Sequence, residues 1–308
     1  MSKDSELDLT VVIRSSGERT VEACRQLVLN QVPAESIQTI EVYPFEKAVQ
    51  KSFEIGLASN KEWLVTVDAD VLATENALAN LVEKSSDIPK NVVQIEGYLY
   101  DWILRKYRKG GVKLYRTSLL EEAIQLIPEE GETIRPESHT LERMAKKGYP
   151  KQNLYVVTGV HDFEQYRKDI YRKSFIHAFK HQDEVFETLP EWIRLAKEND
   201  DYKVVVKGIF DGLMSDEKAK IDARDFSESS KKALAELGLN EKMPIQDIQT
   251  IKELLFNTLA KQDPLFSPTD PKRFKYYYKN YGVSGVTSHF FKTLSKRFGK
   301  ELLKLSDR

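Results

Sequence analysis

The sequence predicts an α/β fold with a mainly parallel sheet and helices on both faces, followed by an all-helical part. Three observations carry this. Short apolar runs alternate with helix-period stretches up to about residue 181; strand-like runs stop near Asp183; and an acidic pair, Asp68 and Asp70, closes the third apolar run. That β-α-β-α-β order implies parallel strands covered by crossover helices.

The elements follow in order. Leu9 to Arg14 is a run of mostly β-branched apolar residues and reads as a buried strand. Glu18 to Gln31 reads as a helix, Ile37 to Tyr43 as a second strand, and Glu46 to Ser59 as a second helix with Val49, Phe53 and Leu57 four apart. Trp63 to Val67 is the third strand. Thr74 is placed to cap a helix reaching about Lys84, and Val92 to Tyr98 is a further strand. Gly110-Gly111 marks a turn before a short strand, Val112 to Tyr115. Ser118 and Glu121 have capping-box spacing for a helix ending near Pro128. Glu137 to Lys147 forms another helix, stopped by Gly148 and Pro150; Leu154 to Thr158 is the last strand, and Asp162 to His181 a long helix. Val185 to Asn199, Tyr202 to Met214, Asp216 to Leu237 and Ile245 to Lys261 are helical patterns. The division expected is residues 1–182, α/β, and 183–308, helical with a basic aromatic tail.

Composition narrows the class. At 41% hydrophobic and 31% charged residues over 308, the chain can bury a core of one large domain or two modest ones. A formal net charge of −1 gives no general attraction to nucleic acid. The charge is uneven. Residues 271–308 hold ten basic and two acidic residues, a net of +8, against 37 basic and 46 acidic before them, a net of −9. Cys24 stands alone, which excludes an intrachain disulfide. The polar start MSKDSELD lacks an apolar leader core, and no apolar run approaches the roughly 18 residues of a membrane span, so a cytoplasmic location is expected.

Asp68 and Asp70 carry the chemistry. In an open α/β sheet ligands bind beyond the carboxyl ends of strands. Two carboxylates one residue apart, directly after an apolar strand, can reach one hard cation. Mg²⁺ or Mn²⁺ bound there would use a diphosphate to complete its ligand sphere. Two solvated loop acids are the alternative.

Residues 46 to 72, EKAVQKSFEIGLASNKEWLVTVDADVL, resemble the region of family 2 GT-A glycosyltransferases that leads into their D-x-D motif. Residues 11 to 31, VVIRSSGERTVEACRQLVLNQ, look like that family's first strand and helix. Residues 110 to 123, GGVKLYRTSLLEEA, and 135 to 150, RPESHTLERMAKKGYP, resemble its acceptor side. The resemblance covers roughly residues 9 to 181. It implies a GT-A fold and metal-dependent transfer of a sugar, hexosyltransferase-like, from a nucleotide-sugar donor to an acceptor hydroxyl with inversion. The acceptor, whether glycan, lipid-linked or protein, stays open.

The same resemblance implies roles. Asp70 would hold the metal, with Asp68 on the ribose and sharing the metal. Arg14, Ser15 and Ser16 would lie beside the nucleotide, and Glu41 is the acid nearest the base. There the family has a D-x-S-x-D-like loop and this chain reads EVYPFEKA. Glu137 occupies the slot of the catalytic base, although Ser138 replaces the second acid of the family's pair. His161, after the last strand, fits the position of a metal-binding histidine, with Asp162 and Glu164 as further candidates for the base. His177 and His181, four apart on one helix, could share a metal; without an accompanying acid motif they read as a solvated face.

Two rival functions remain. Asp68-Ala69-Asp70-Val71-Leu72 also resembles the first motif of haloacid dehalogenase-type phosphatases, where the first Asp is the nucleophile. That motif belongs on a domain's first strand, and no downstream G-D-x₃-D pair is found. A non-catalytic GT-A-fold binding protein is favoured by the altered loop and acid pair. In the tail, PKRFKYYYKNYG interleaves basic and aromatic residues, and Phe290, Leu294, Phe298, Leu302 and Leu305 share one side of a helical pattern. That suits peripheral contact with an anionic membrane; packing on the helical domain is the alternative. No nucleic-acid partner is expected.

Overall fold

The structure is a computed structural model that describes residues 7–180, 182–215, 222–245, 247–249, 251 and 253. Helical patterns expected over 216–221 and most of 246–261, His181, and the whole 271–308 tail lie outside the described residues.

Seven strands form one sheet in the order β2-β1-β3-β6-β5-β7-β4. They are β1 (Leu9–Ser15), β2 (Ile37–Glu41), β3 (Trp63–Asp68), β4 (Val71–Ala73), β5 (Gln94–Asp101), β6 (Lys106–Arg116) and β7 (Lys151–His161). The α/β class is as expected, but the sheet is mixed. β1 runs parallel to β2 and β3, and β5 to β7; the β3–β6, β5–β6 and β4–β7 pairings are antiparallel. The physical reason is the link between β5 and β6. Only residues 102–105 separate them, which allows a hairpin and forbids a parallel crossover.

Gly110 and Gly111 therefore make no turn. They lie inside β6 at φ +130° and +93°, where a Cβ on Gly111 would come 2.7 Å from the Thr158 hydroxyl oxygen. Glycine is needed there for close approach of β6 to β7. β7 starts three residues earlier and ends three later than expected, and the three-residue β4 is too short for periodicity to reveal.

The helices are α1 (Val21–Leu29), α2 (Phe45–Ala58), α3 (Ala77–Ser85), α4 (Leu120–Ile124), α5 (Pro136–Lys146), α6 (Arg167–Lys180), α7 (Gln182–Leu195), α8 (Asp200–Leu213) and α9 (Ser227–Glu236). Strand alternation assigns them to faces. Leu9, Val11 and Ile13 of β1, with Val65 and Val67 of β3, pack on Cys24 and Val28 of α1 and Leu78 and Leu81 of α3. Val12 and Leu64 turn the other way, to Val49 and Phe53 of α2, Leu120 of α4 and Met144 of α5. Both sheet faces are thus covered by helices.

α6 to α9 build a third cluster over the β5–β6 turn. Trp192 is fully buried there and its indole donates to the Ile103 carbonyl at 2.6 Å, while the Trp102 and Tyr202 rings stack 4.6 Å apart. These helices share their core with Trp102, Ile103 and Leu104, which lie between β5 and β6.

Candidate active site

Three strand ends and two helices meet at a cavity of about 370 Å³. Register brings the pieces together. Arg14 and Asp68 are lateral partners at the carboxyl ends of β1 and β3. β4 pairs Val71 with His161, and the Asp162 amide donates to the Asp70 carbonyl at 3.1 Å. The short β4 thus carries Asp70 to the end of β7. α5 begins with Pro136 in its first turn and presents Glu137 there, where the missing proline N–H costs nothing and an acid suits the helix dipole. α6 contributes Arg172, Lys173, His177 and Lys180, at i, i+1, i+5 and i+8 of one face.

One wall is an ion-pair network around Arg14. Its guanidinium holds Asp68 Oδ1 at 2.8 Å and Glu137 Oε1 at 2.9 Å, and Tyr115 donates to Glu137 Oε1 at 2.7 Å. Lys113 pairs with the other Glu137 oxygen. Burial alone would raise the Glu137 pKa, but Arg14 and then Lys113 outweigh it and hold the carboxyl well below the usual range. Ser15 and Ser16 donate their hydroxyls to Glu18 at 2.9 and 2.7 Å, which orders the loop after β1 around Gly17, at φ +85°.

The opposite wall holds Asp70, His161 and Asp162, whose ligand-type atoms lie within 4.8 Å of one another. His161 Nδ1 lies 2.9 Å from Asp162 Oδ2 and 3.1 Å from Asp101 Oδ2, and Nε2 lies 3.6 Å from Asp70 Oδ2. Burial opposes charge on this ring, but Asp162 and Asp70 prevail and push its pKa up to about 9. Arg108 pairs with Asp101 at 2.6 Å. Lys173 Nζ lies 2.5 Å from Asp70 Oδ2 and also pairs with Asp162. The donor set suits a divalent cation: two carboxylates and an imidazole, with Asp70 Oδ1 buried and lacking a hydrogen-bond partner. This is a candidate Asp/His/Asp metal group.

The remaining rim is cationic. Burial, then Arg135, Arg172 and Arg108, push the Lys180 pKa down to about 8. A crowd of positive charge in a cavity favours an anionic ligand.

The expected site residues are largely gathered. Arg14, Ser15, Ser16, Asp68, Asp70, Glu137, His161 and Asp162 all line the cavity. Asp68 faces Arg14 rather than the Asp70 group. Glu41 is exposed and outside the lining, where Val42, Tyr43 and Phe45 stand. Glu164 pairs with Arg19 at 2.9 Å. His177 lines the cavity on α6 and is not a solvated face. Sequence reasoning missed Asp101, Arg108, Lys113, Tyr115 and Lys173. Asp101 was discoverable, since like Asp68 it is an acid closing an apolar strand; the others are single residues on long elements, with no local motif.

No family model matches the chain, and no curated protein matches it significantly. Solved structures similar to it include the mannosyltransferase PcManGT from Pyrobaculum calidifontis in complex with GDP-Man and Mn²⁺. It is 14% identical, with 94% of this chain and 87% of that one covered at a TM-score of 0.38. A glycosyltransferase involved in glycosylation of the major capsid of PBCV-1 is 18% identical over 50% of this chain and 81% of that one, TM-score 0.35. A CMP:2-keto-3-deoxy-manno-octonic acid synthetase complexed with CTP is 12% identical over 50% and 93%, TM-score 0.35. Among the described residues no helix is long and apolar enough to cross a membrane.

Proposed function

We propose that the chain is a sugar-nucleotide transferase of the GT-A kind, moving a sugar from a nucleotide-sugar donor to an acceptor hydroxyl. One observation carries the reading: an Asp/His/Asp group and a cationic rim share one cavity at the carboxyl ends of the strands. A donor's diphosphate needs both a hard cation and positive side chains. Asp70, His161 and Asp162 would hold Mn²⁺ or Mg²⁺, which supplies charge neutralisation for the departing diphosphate. Asp162 is read here as a ligand rather than as the base.

Asp68, held by Arg14 and a third exposed at its side chain, is the group suited to a ribose hydroxyl. Ser15 and Ser16, which line the same cavity, would face the nucleotide. Glu137 sits in the base slot implied by the resemblance. Arg14 and Lys113 lower its affinity for a proton, so we read it as their anchor. Inversion, a hexosyl donor, the 183–308 division and membrane contact through residues 271–308 belong to the same proposal and rest on sequence.

The test is donor breakdown. Purified protein incubated with nucleotide sugars and Mn²⁺ should release a nucleoside diphosphate, slowly without acceptor, and Asp70→Ala should abolish the release. Release that is indifferent to Asp70→Ala rejects the metal group.

A further inference from the structure

Lys173 bridges the two carboxylates of the Asp/His/Asp group. Its ammonium lies 2.5 Å from Asp70 Oδ2 and pairs with Asp162 as well, so one positive charge joins the two carboxylates of that group. All three side chains are 11% exposed or less. Two carboxylates so close in a buried place repel each other and need a cation between them. Arg108 is taken by Asp101 at 2.6 Å, which leaves Lys173 and the His161 ring as the positive groups in contact with the pair. His161 touches Asp162, Asp101 and Asp70 through ring nitrogens whose lone pairs a metal would also require. A divalent ion added beside the ammonium would have to share both carboxylates with it, since Lys173 takes Asp70 Oδ2 and Asp162 Oδ1 and leaves only Asp70 Oδ1 and Asp162 Oδ2.

We propose that Lys173 is the built-in occupant of this cation position, and that a divalent ion binds Asp70 and Asp162 only by displacing its ammonium. The proposal rests on the metal reading above and adds a competitor to it. The side chain is suited to the exchange. A lysine is a compact charge on a flexible stem, and Lys173 lies on the α6 face that borders the cavity, beside Arg172 and Lys180. A displaced ammonium keeps its charge and would face whatever anion the cavity holds. Metal alone should then bind weakly, and metal and a diphosphate should strengthen each other by the same factor in both directions.

Calorimetric titration of Mn²⁺ alone, without nucleotide, decides this. Lys173→Gln, which removes the charge and keeps a hydrogen-bond donor, should bind Mn²⁺ at least tenfold more tightly than the native chain; Lys173→Arg should show no gain. Equal or weaker binding by Lys173→Gln overturns the proposal. A measurement on the native chain covers a variant that fails to fold. Acetic anhydride labelling of Lys173, read by mass spectrometry, should rise on saturation with Mn²⁺, and unchanged protection also overturns it. Failure of the donor reading looks different: tighter Mn²⁺ binding by Lys173→Gln with no nucleotide-sugar binding by any form would keep Lys173 as competitor and remove the transferase.

Discussion

Arg14 Nη1 lies 2.9 Å from Glu137 Oε1, joining residues 123 positions apart in the wall of the cavity. Glu137 also takes Tyr115 and Lys113, so its charge is the shared counter-ion of the buried Arg14 and the half-buried Lys113. Removing one partner of such a pair leaves buried charge uncompensated, at a cost of about 3–5 kcal/mol. Glu137→Gln should therefore lower stability by that order in urea unfolding. Unchanged stability with transfer slowed by orders of magnitude would restore Glu137 as the base.

Asp68 and Asp70 should separate in their effects. Asp70→Asn takes a carboxylate from the Asp/His/Asp group and should abolish Mn²⁺ binding measured by calorimetry. Asp68→Asn disturbs only the Arg14 pair and should weaken nucleoside diphosphate binding with Mn²⁺ affinity within about threefold of native. Equal loss of Mn²⁺ affinity in both variants would show that Asp68 is a metal ligand.

Lys180 sets a pH dependence. Its pKa is down at about 8 from an ordinary 10.5, through burial and the arginines around it. The native chain thus holds this proton less tightly than the unfolded chain. The ammonium is present below about pH 8 and lost above it, so pyrophosphate affinity should fall as pH rises through 8. Lys180→Gln should flatten that profile. A native affinity constant from pH 7 to 9 would contradict the role given to the cationic rim.

Trp192 ties α7 to the sheet half. Trp192→Ala removes a fully buried ring and its bond to Ile103, which should cost about 3–5 kcal/mol. Unfolding followed by fluorescence and by circular dichroism should shift together. Two separate transitions, with only one shifted, would mean that the helices after residue 182 fold apart from the sheet.

What was legible followed from local pattern. The strands β1 and β3 were visible because each places four apolar residues and a threonine in a run of five, and Asp68 and Asp70 because they end one of them. β4 was invisible: Val71–Ala73 has no period to read, and it becomes a strand only through its pairing with β7. That pairing unites Asp70 with His161 and Asp162, of which sequence nominates the first two for the metal and the third for the base. The extent of β6 was misread for a related reason. Gly110-Gly111 has turn chemistry, yet the tertiary demand for close approach to Thr158 decides its place. Lys173 and Lys113 looked like ordinary charges on amphipathic elements, because ion pairs over 103 and 24 positions leave no local trace.

The central claim is that the cavity takes a nucleotide sugar through the Asp70 group. Thermal unfolding across a panel of nucleotide sugars, with and without Mn²⁺, tests it most directly, since a ligand of the native state raises the midpoint by mass action. At least one nucleotide sugar should raise the native midpoint in the presence of Mn²⁺, and the rise should vanish in Asp70→Ala. No shift with any nucleotide sugar, or p-nitrophenyl phosphate hydrolysis that depends on Asp68, would contradict the account.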